Sequence, residues 1–512
     1  MAVETAIPPR AASAEAVQIG VSRPALPVAD IPTPEEVFAK PRIGPKELVT
    51  CVLGPSMIAL GVSIGSGEWL LGPLGFGKYG FIGLGFLCVV SAVLQTFYNV
   101  ENARYTLATG EVPIVGFYRV PPGFKFWAGI CLFIMYLGWI WGGWAAGAGQ
   151  SVYGVILGRP PNMKNPGELE TVRIIAIVLM GFSFVVYLFG KKITRTLEFI
   201  DTFLVFTILT VLTILALVFA PAGLWSDMLA GIVTPAGPPK GIDATTLGSI
   251  MGYTGFAAGF NWMLINYYRD HGYGMGHRVG FYSGIFGGVK QNVLASGITF
   301  PDDEKNAKTW KRWFRFLLVD QWMVFFVGAM IGMFLPSVLV VSLARMPGAA
   351  EPNVANMPVY AATELGRHAP WLFPFILILG AVILWKTQST LLEMLIRNTT
   401  DTAISLSPRL QAWIKGDPRK FYYLMAAGLI VVIGIIIHLA LPTKLLQYSA
   451  NMANLAAIIF PLLLMYLNAR LPKPARARWW SYLVLGANVV FFGFFFLNFL
   501  ALQITGKPLV VF

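Results

Sequence analysis

The residues best placed to do chemistry lie inside apolar stretches. Gly61-Val62-Ser63-Ile64-Gly65-Ser66-Gly67-Glu68-Trp69 interrupts an otherwise hydrophobic run at 49–74. The Gly65-Ser66-Gly67 run unwinds a helix at little cost, frees backbone carbonyls and amides, and sets a carboxylate, Glu68, beside them. A second run, Gly252-Tyr253-Thr254-Gly255-Phe256-Ala257-Ala258-Gly259-Phe260-Asn261, interrupts the stretch 246–268 in the same way, with Asn266 following. Freed backbone dipoles next to an ionisable group form a binding site for a small charged species, whereas a lone glycine would only let two helices pack closely.

The elements that must position these residues follow from composition. The chain has 512 residues, 56% hydrophobic and 12% charged. Soluble domains carry roughly 25% charged residues, so the composition is that of an integral membrane protein. Three cysteines, Cys51, Cys88 and Cys131, all in apolar runs, exclude a disulfide scaffold. The net charge of +13 comes from basic residues clustered between the apolar stretches, the pattern of cytoplasmic loops rather than of a nucleic-acid-binding surface. About 20 apolar residues cross a bilayer, which predicts spans near 49–74, 80–101, 124–157, 171–190, 195–220, 246–268, 313–343, 369–396, 420–440, 445–468 and 479–504. Residues 277–299 carry Lys290, Gln291 and Asn292 and are placed outside the hydrocarbon. With the N-terminus inside, most Lys and Arg fall on the cytoplasmic side. A twelfth span at 277–299 would move Lys305, Lys308, Lys311, Arg312 and Arg315 outside, against the positive-inside rule.

The expected architecture is all-α and membrane-embedded. Eleven helices form two inverted five-helix repeats plus one extra helix, with helices one and six broken. The repeats cover 49–220 and 246–468, separated by an external loop at 221–245; the eleventh helix is 479–504. A cytoplasmic loop spans 269–312, and the Pro- and Ala-rich residues 1–48 read as a disordered, uncleaved cytoplasmic tail. Localisation is then the plasma or inner membrane, with the C-terminus outside. Interrupted segments at corresponding positions of two halves are the sequence sign of a midplane site in a secondary transporter.

At these residues the chain resembles the natural resistance-associated macrophage protein (Nramp) metal transporters of the LeuT-like superfamily. The resemblance is carried by Gly54-Pro55 opening the first span, the break eleven residues later, Glu101-Asn102-Ala103-Arg104-Tyr105-Thr106-Leu107-Ala108-Thr109-Gly110, Thr387-Gln388 in the eighth span, and the eleven-span layout. It covers roughly 45–505. The departures are informative. Where the family has Asp-Pro-Gly-Asn, this chain has Gly65-Ser66-Gly67-Glu68. Where the family has Met-Pro-His-Asn, it has Gly259-Phe260-Asn261-Trp262, with Asn261 and Asn266 at the histidine positions. Asn454 falls near a family glutamine.

The resemblance implies a cation carrier whose soft ligands are gone. Glu68, Asn261, Asn454 and the carbonyls near Gly65, Ser66, Ala258 and Gly259 make an all-oxygen set, which suits hard cations such as Mg²⁺ better than a thioether site would. Glu68 and Asn261 are the candidate metal ligands. Asn266, Thr387 and Gln388 are candidates for a coupling or second site, with H⁺ or Na⁺ as the coupling ion. Glu68 also suits a proton site, since an apolar surrounding favours the neutral carboxyl and ion access reverses this. The same half-helix ends suit an amino acid or other small organic solute, so that alternative stays open.

Other polar residues read as structural. Glu393 and Arg397, four apart, can pair on one helix face; Lys386 must face protein, water or the interface. Asp320 and Gln321, and Glu198 and Asp201, fit helix N-termini. His271 and His277 on the Gly272-, Gly274- and Gly276-containing loop match no metal-ligand spacing. Residues 302–315 read as a basic, aromatic interfacial anchor. Only His438 sits well inside a span, and no nucleophile–base pair or phosphate loop is present, so an enzyme or ATP-driven pump is not expected. No cofactor, nucleic acid or obligate protein partner is expected beyond the lipid bilayer and the small cation.

Overall fold

The computed structural model describes residues 16–21, 23–44, 56, 64–65, 67–188, 193–279, 296–352, 356–415 and 417–512. Gly54, Pro55, Gly61–Ser63, Ser66, Cys51 and Lys290–Asn292 lie outside the described residues, as does much of the predicted first span. Among the described residues the chain is helical, with only the isolated bridges Val17–Leu26 and Val28–Thr299. Among the described residues nine helices are long and apolar enough to cross a membrane, and they correspond to predicted spans two to five and seven to eleven. Span six, one of the two expected to be broken, does not reach that length as a continuous helix, and most of span one lies outside the described residues.

Lipid contact and core are divided between the spans. Spans four (Pro166–Tyr187), five (Ile193–Phe219) and nine (Arg419–Ile436) are 22%, 28% and 28% buried over their most apolar stretch, whereas spans seven and eight (Leu372–Leu406) reach 67% and 78%. Val178, Leu217 and Ile435 point outward from the first group, and an apolar exterior of this extent is compatible with hydrocarbon rather than water. Span eight is therefore a central element, packed on span three, span nine and the helix Met357–His368.

Several boundaries differ from expectation. Span three bends where Phe124–Trp139 gives way to Gly143–Leu157, because Gly142 takes φ +63°. The predicted external loop 221–245 contains the helix Ala222–Val233, whose Gly231 lies against Phe81 backbone. Span seven begins nine residues early: Glu304–Val319 runs through a π-helical turn, Asp320–Phe326, into Val327–Ala344. Asp320 and Gln321 are consequently inside a continuous span and not at a helix N-terminus. The helix starts at Glu304 because the Asp303 carboxylate accepts the Asn306 amide (2.8 Å).

The N-terminal segment also departs from the disordered tail expected for 1–48. Residues 16–21 and 23–44 lie against Arg119, Thr299 and the start of span seven, with Ile19, Leu26 and Ile31 buried. Main-chain bonds replace a hydrophobic run as the cause of order. Ala29 N–H donates to Thr299 O (2.9 Å), Thr299 N–H to Pro27 O (3.0 Å), and Trp313 Nε1 to Pro32 O (2.7 Å). Phe38 closes the contact on Tyr273, Trp313 and Phe316.

A buried ion pair adjoins this segment. Glu111, in the turn after span two (Leu84–Thr109), holds Arg119 at 2.6 Å with both side chains buried. It also accepts from Tyr105 Oη (2.6 Å) and Gly297 N–H (3.0 Å). Burial alone would push the Glu111 carboxyl up, but Arg119, Tyr105 and Gly297 outweigh it and hold the group below the usual glutamate range. Its contribution is thus present above that range and lost as pH falls through the depressed folded value. Glu111→Gln strands the Arg119 charge and should cost about 3–5 kcal/mol. Melting curves in detergent test this by double-mutant cycle: removing both partners should cost less than the single change, and additive losses would mean the two are uncoupled.

Candidate functional site

Span six supplies the clearest break. Ala244–Tyr253 is capped by Asp243, which accepts from Thr246 N–H (2.9 Å), and ends as Thr254 becomes extended. Gly255 takes φ +88°, where a side chain would be strained, and a 3₁₀ segment, Ala258–Ile265, leads into Asn266–Asp270. Ala258 itself has φ +33° and is fully buried.

An interrupted helix leaves amides and carbonyls that hydrocarbon cannot satisfy. Gln95 from span two does so here. Its Oε1 accepts from Phe256 N–H (3.2 Å) and Asn261 Nδ2 (3.2 Å), while its Nε2 donates to Thr254 O. Asn261 completes the brace, because its Oδ1 accepts from Ala257 N–H (3.2 Å). Asn261, expected as a metal ligand, thus holds the break open and has its oxygen engaged by the main chain. Gln95 is absent from the residues that the sequence pattern singles out. A glutamine in an apolar span was the available signal, but nothing local connects it with residues some 160 positions on.

Glycines set how closely the broken segments approach the other spans. A Cβ on Gly259 would stand 1.9 Å from Ala457 N and 2.0 Å from Ala456 C of span ten (Pro442–Asn468). The absence of a methionine there is therefore a packing requirement as well as a loss of sulfur. The Gly259 carbonyl accepts from Tyr98 Oη (3.1 Å). Asn454 lies on the same span ten surface: its Nδ2 donates to Gly248 O (2.8 Å), and its Oδ1 faces Gly252, two residues before the break.

The first-span break meets span eight. A Cβ on Gly65 would fall 1.8 Å from Thr387 Oγ1 and 3.2 Å from Ile383 O, so the Gly65 main chain and the Thr387 hydroxyl are immediate neighbours. A π-helical turn, Gly67–Leu71, follows and carries Glu68, fully buried. The Glu68 carboxylate turns towards span seven, where Oε2 would stand 2.4 Å from a Cβ on Gly332, with Ile64 alongside. Ser66 lies outside the described residues. Gln388 leaves this group: its Oε1 accepts from Ala145 N–H (3.2 Å) at the span-three bend.

Asn266 lies lower, donating to Asn398 Oδ1 (3.0 Å) at the inner end of span eight. It adjoins a buried charge network. Glu393 accepts from Arg397 (2.5 Å), as the spacing predicts, and Arg397 also reaches Asp270. Arg269 joins Asp270 (3.2 Å) and Asp401 (3.5 Å), and Tyr267 Oη donates to Glu393 (3.2 Å). The arrangement ties the inner half of span six to span eight. Of the loop histidines, His271 Nδ1 lies 2.7 Å from Tyr267 O, and no group of three or more metal-ligating His, Cys, Asp or Glu occurs among the described residues.

The site is lined on another side by rings. Trp139 stacks on Trp144 (6.4 Å) and meets Phe256 and Phe260 at 5.7 and 5.3 Å, and Trp144 meets Tyr253 at 5.8 Å. The indole N–H groups of Trp139 and Trp144 are buried and make no hydrogen bond among the described residues.

No protein-family model matches the sequence, and no curated protein matches it. Similarity appears in three dimensions. The manganese transporter of Eremococcus coleocola, in complex with an aromatic bis-isothiourea substituted compound, matches with a TM-score of 0.57 at 17% identity, covering 91% of this chain and 89% of that one. A mutant of the same transporter matches with a TM-score of 0.58 at 15% identity, covering 94% and 90%. At such identity the likeness concerns the fold alone.

Close approach generates a test. Gly65→Ala should lower the melting temperature in detergent, and Thr387→Ala should restore part of the loss by removing the colliding hydroxyl. Gly259→Ala collides with main chain and should not be rescued by trimming any side chain, with a cost of about 1–3 kcal/mol or more. A Gly259→Ala protein as stable as the parent would show that span ten does not approach this closely.

Proposed function

We propose that this multi-pass membrane protein is a secondary transporter of a small cation, a divalent metal ion of the Mg²⁺ or Mn²⁺ kind, working by alternating access. One observation carries the reading: a fully buried carboxylate, Glu68, on a π-helical turn beside the Gly65 break. The fold shared with a manganese transporter supports it. Burying a carboxylate in hydrocarbon is costly, and binding a cation or a proton removes that cost. Glu68 would supply the charge, with main-chain oxygens from both breaks and Asn454 completing an oxygen shell.

Asn261 enters this reading as the brace of the break, releasing its oxygen only if Ala257 moves. Thr387 with the Gly65 main chain would serve a coupling cation or proton, and Asn266 belongs with the inner network. Spans one and six would move together, exposing Glu68 to either side in turn, with the N-terminus in the cytoplasm and the C-terminus outside. An oxygen shell without thioether or imidazole gives Mn²⁺ little advantage over Mg²⁺.

A second reading, an H⁺- or Na⁺-coupled symporter of an amino acid or other small organic solute, draws on the rings. The Trp139–Trp144 stack and its two buried indole donors fit a planar polar solute better than a hydrated ion.

Uptake into proteoliposomes decides between the two. Mg²⁺, Mn²⁺ and Ca²⁺ are offered to the parent and to Glu68→Gln. The parent should take up Mg²⁺ and Mn²⁺ at rates within roughly tenfold of each other, and Glu68→Gln should lose uptake at least a hundredfold while keeping its melting temperature. Parental uptake by Glu68→Gln would remove Glu68 from the mechanism; absence of uptake of all three ions would favour the organic solute.

A further inference from the structure

A second buried carboxylate, Asp320, lies well away from the breaks on the π-helical turn of span seven. Turns of this kind inside α-helices recur at functional positions because they displace one residue out of register. Asp320 is 2% exposed. Its Oδ2 accepts from Ser56 Oγ of span one (2.7 Å), from Tyr268 Oη on the inner half of span six, and from Gln321 Nε2 (3.3 Å). Gln321 Nε2 also donates to Tyr268 Oη (2.7 Å) and Ser56 Oγ (3.2 Å), so three spans meet on one oxygen. The other oxygen, Oδ1, is buried and accepts no hydrogen bond among the described residues.

We propose that Asp320 is a proton-binding site of the transport cycle, and that its charge state sets whether the inner segments of spans one and six stay joined to span seven. The inference rests on the transporter reading, but its site is separate from Glu68. Three donors converging on one oxygen favour the charged carboxylate, and the carboxylate in turn holds the donors in place. A proton added to the group lands on the open Oδ1 or competes at Oδ2. Either way the acceptor loses its charge, and the bonds to Ser56 and Tyr268 weaken together. Because Tyr268 directly follows Tyr267 and precedes the Arg269–Asp270 pairs, releasing it loosens the inner half of span six as a unit.

The surroundings leave this response to few groups. Tyr268 and His271 are the titratable side chains of the span-six segment that act on Asp320. Span two meets the turn through Phe97 against Trp322. Its own charged pair, Glu101–Arg104, is engaged with Ser481, Asn468 and the Phe314 ring.

Hydrogen–deuterium exchange of residues 266–279, on the full chain in nanodiscs without any substrate ion, tests the proposal. After correction for the intrinsic pH dependence of exchange, the parent should exchange roughly tenfold faster at pH 5 than at pH 8, the size expected for losing one charged hydrogen bond. Asp320→Asn keeps an acceptor but cannot titrate, and its ratio should fall to about one. Tyr268→Phe keeps the carboxyl but removes the main donor, and it should exchange fast at both pH values, which guards against a misfolded Asp320 variant. Glu68→Gln should retain the parental ratio. A parent without pH response, an Asp320→Asn protein with the parental ratio, or a flattened response in Glu68→Gln would each overturn the assignment. Since no ion is transported in this measurement, it stands or falls independently of the uptake experiment.

Discussion

A helix that stops halfway through a bilayer must find partners for the groups it releases, and in this protein Gln95 is the partner. One side chain from span two takes an amide and an amide side chain on its oxygen and returns a hydrogen to the last carbonyl of the upper half-helix. Asn261 fills the remaining amide. Without these bonds the polar backbone at Thr254–Ala257 would face hydrocarbon at several kcal/mol for each group. The rest of the site assumes that the break persists. The half-helix ends and the main-chain groups they release depend on it.

Close packing then decides what the broken segments can touch. Gly259 brings span six into backbone contact with span ten, and Gly65 brings span one onto Thr387 of span eight. Both contacts are sharp because the obstructing atoms have nowhere to go, and well-packed interiors shift between discrete arrangements rather than deform smoothly.

Buried ion pairs join segments far apart in the chain. Glu393, Arg397, Asp270, Arg269 and Asp401 link spans six and eight, while Glu111 and Arg119 fasten the turn below span two to residues 297–299 and, through Pro24, to the N-terminal segment. Buried ion pairs add little net stability compared with apolar replacements, but breaking them singly is expensive. Other pairs, such as Arg159–Glu168, are more exposed.

Much of this was legible in the sequence for a physical reason: a bilayer imposes length, polarity and charge rules on each segment separately. The nine long apolar helices among the described residues, the interruption of span six and the carboxylate at Glu68 are local properties, and local rules find them. The i,i+4 pair Glu393–Arg397 was readable for the same reason. What only the tertiary structure decided are the contacts between segments far apart in the chain. Gln95 reads as an ordinary polar residue in a helix until span six is laid beside it. Asn261 reads as a ligand until Ala257 claims its oxygen. Asp320 reads as a helix-capping acid until the helix is seen to run on past it from Glu304, carrying it inside to meet Ser56 and Tyr268. Residues 16–44 read as a tail because their order comes from main-chain bonds, to which composition is blind. The chemistry available to each side chain was set by its identity; which neighbour would use it was set by the fold.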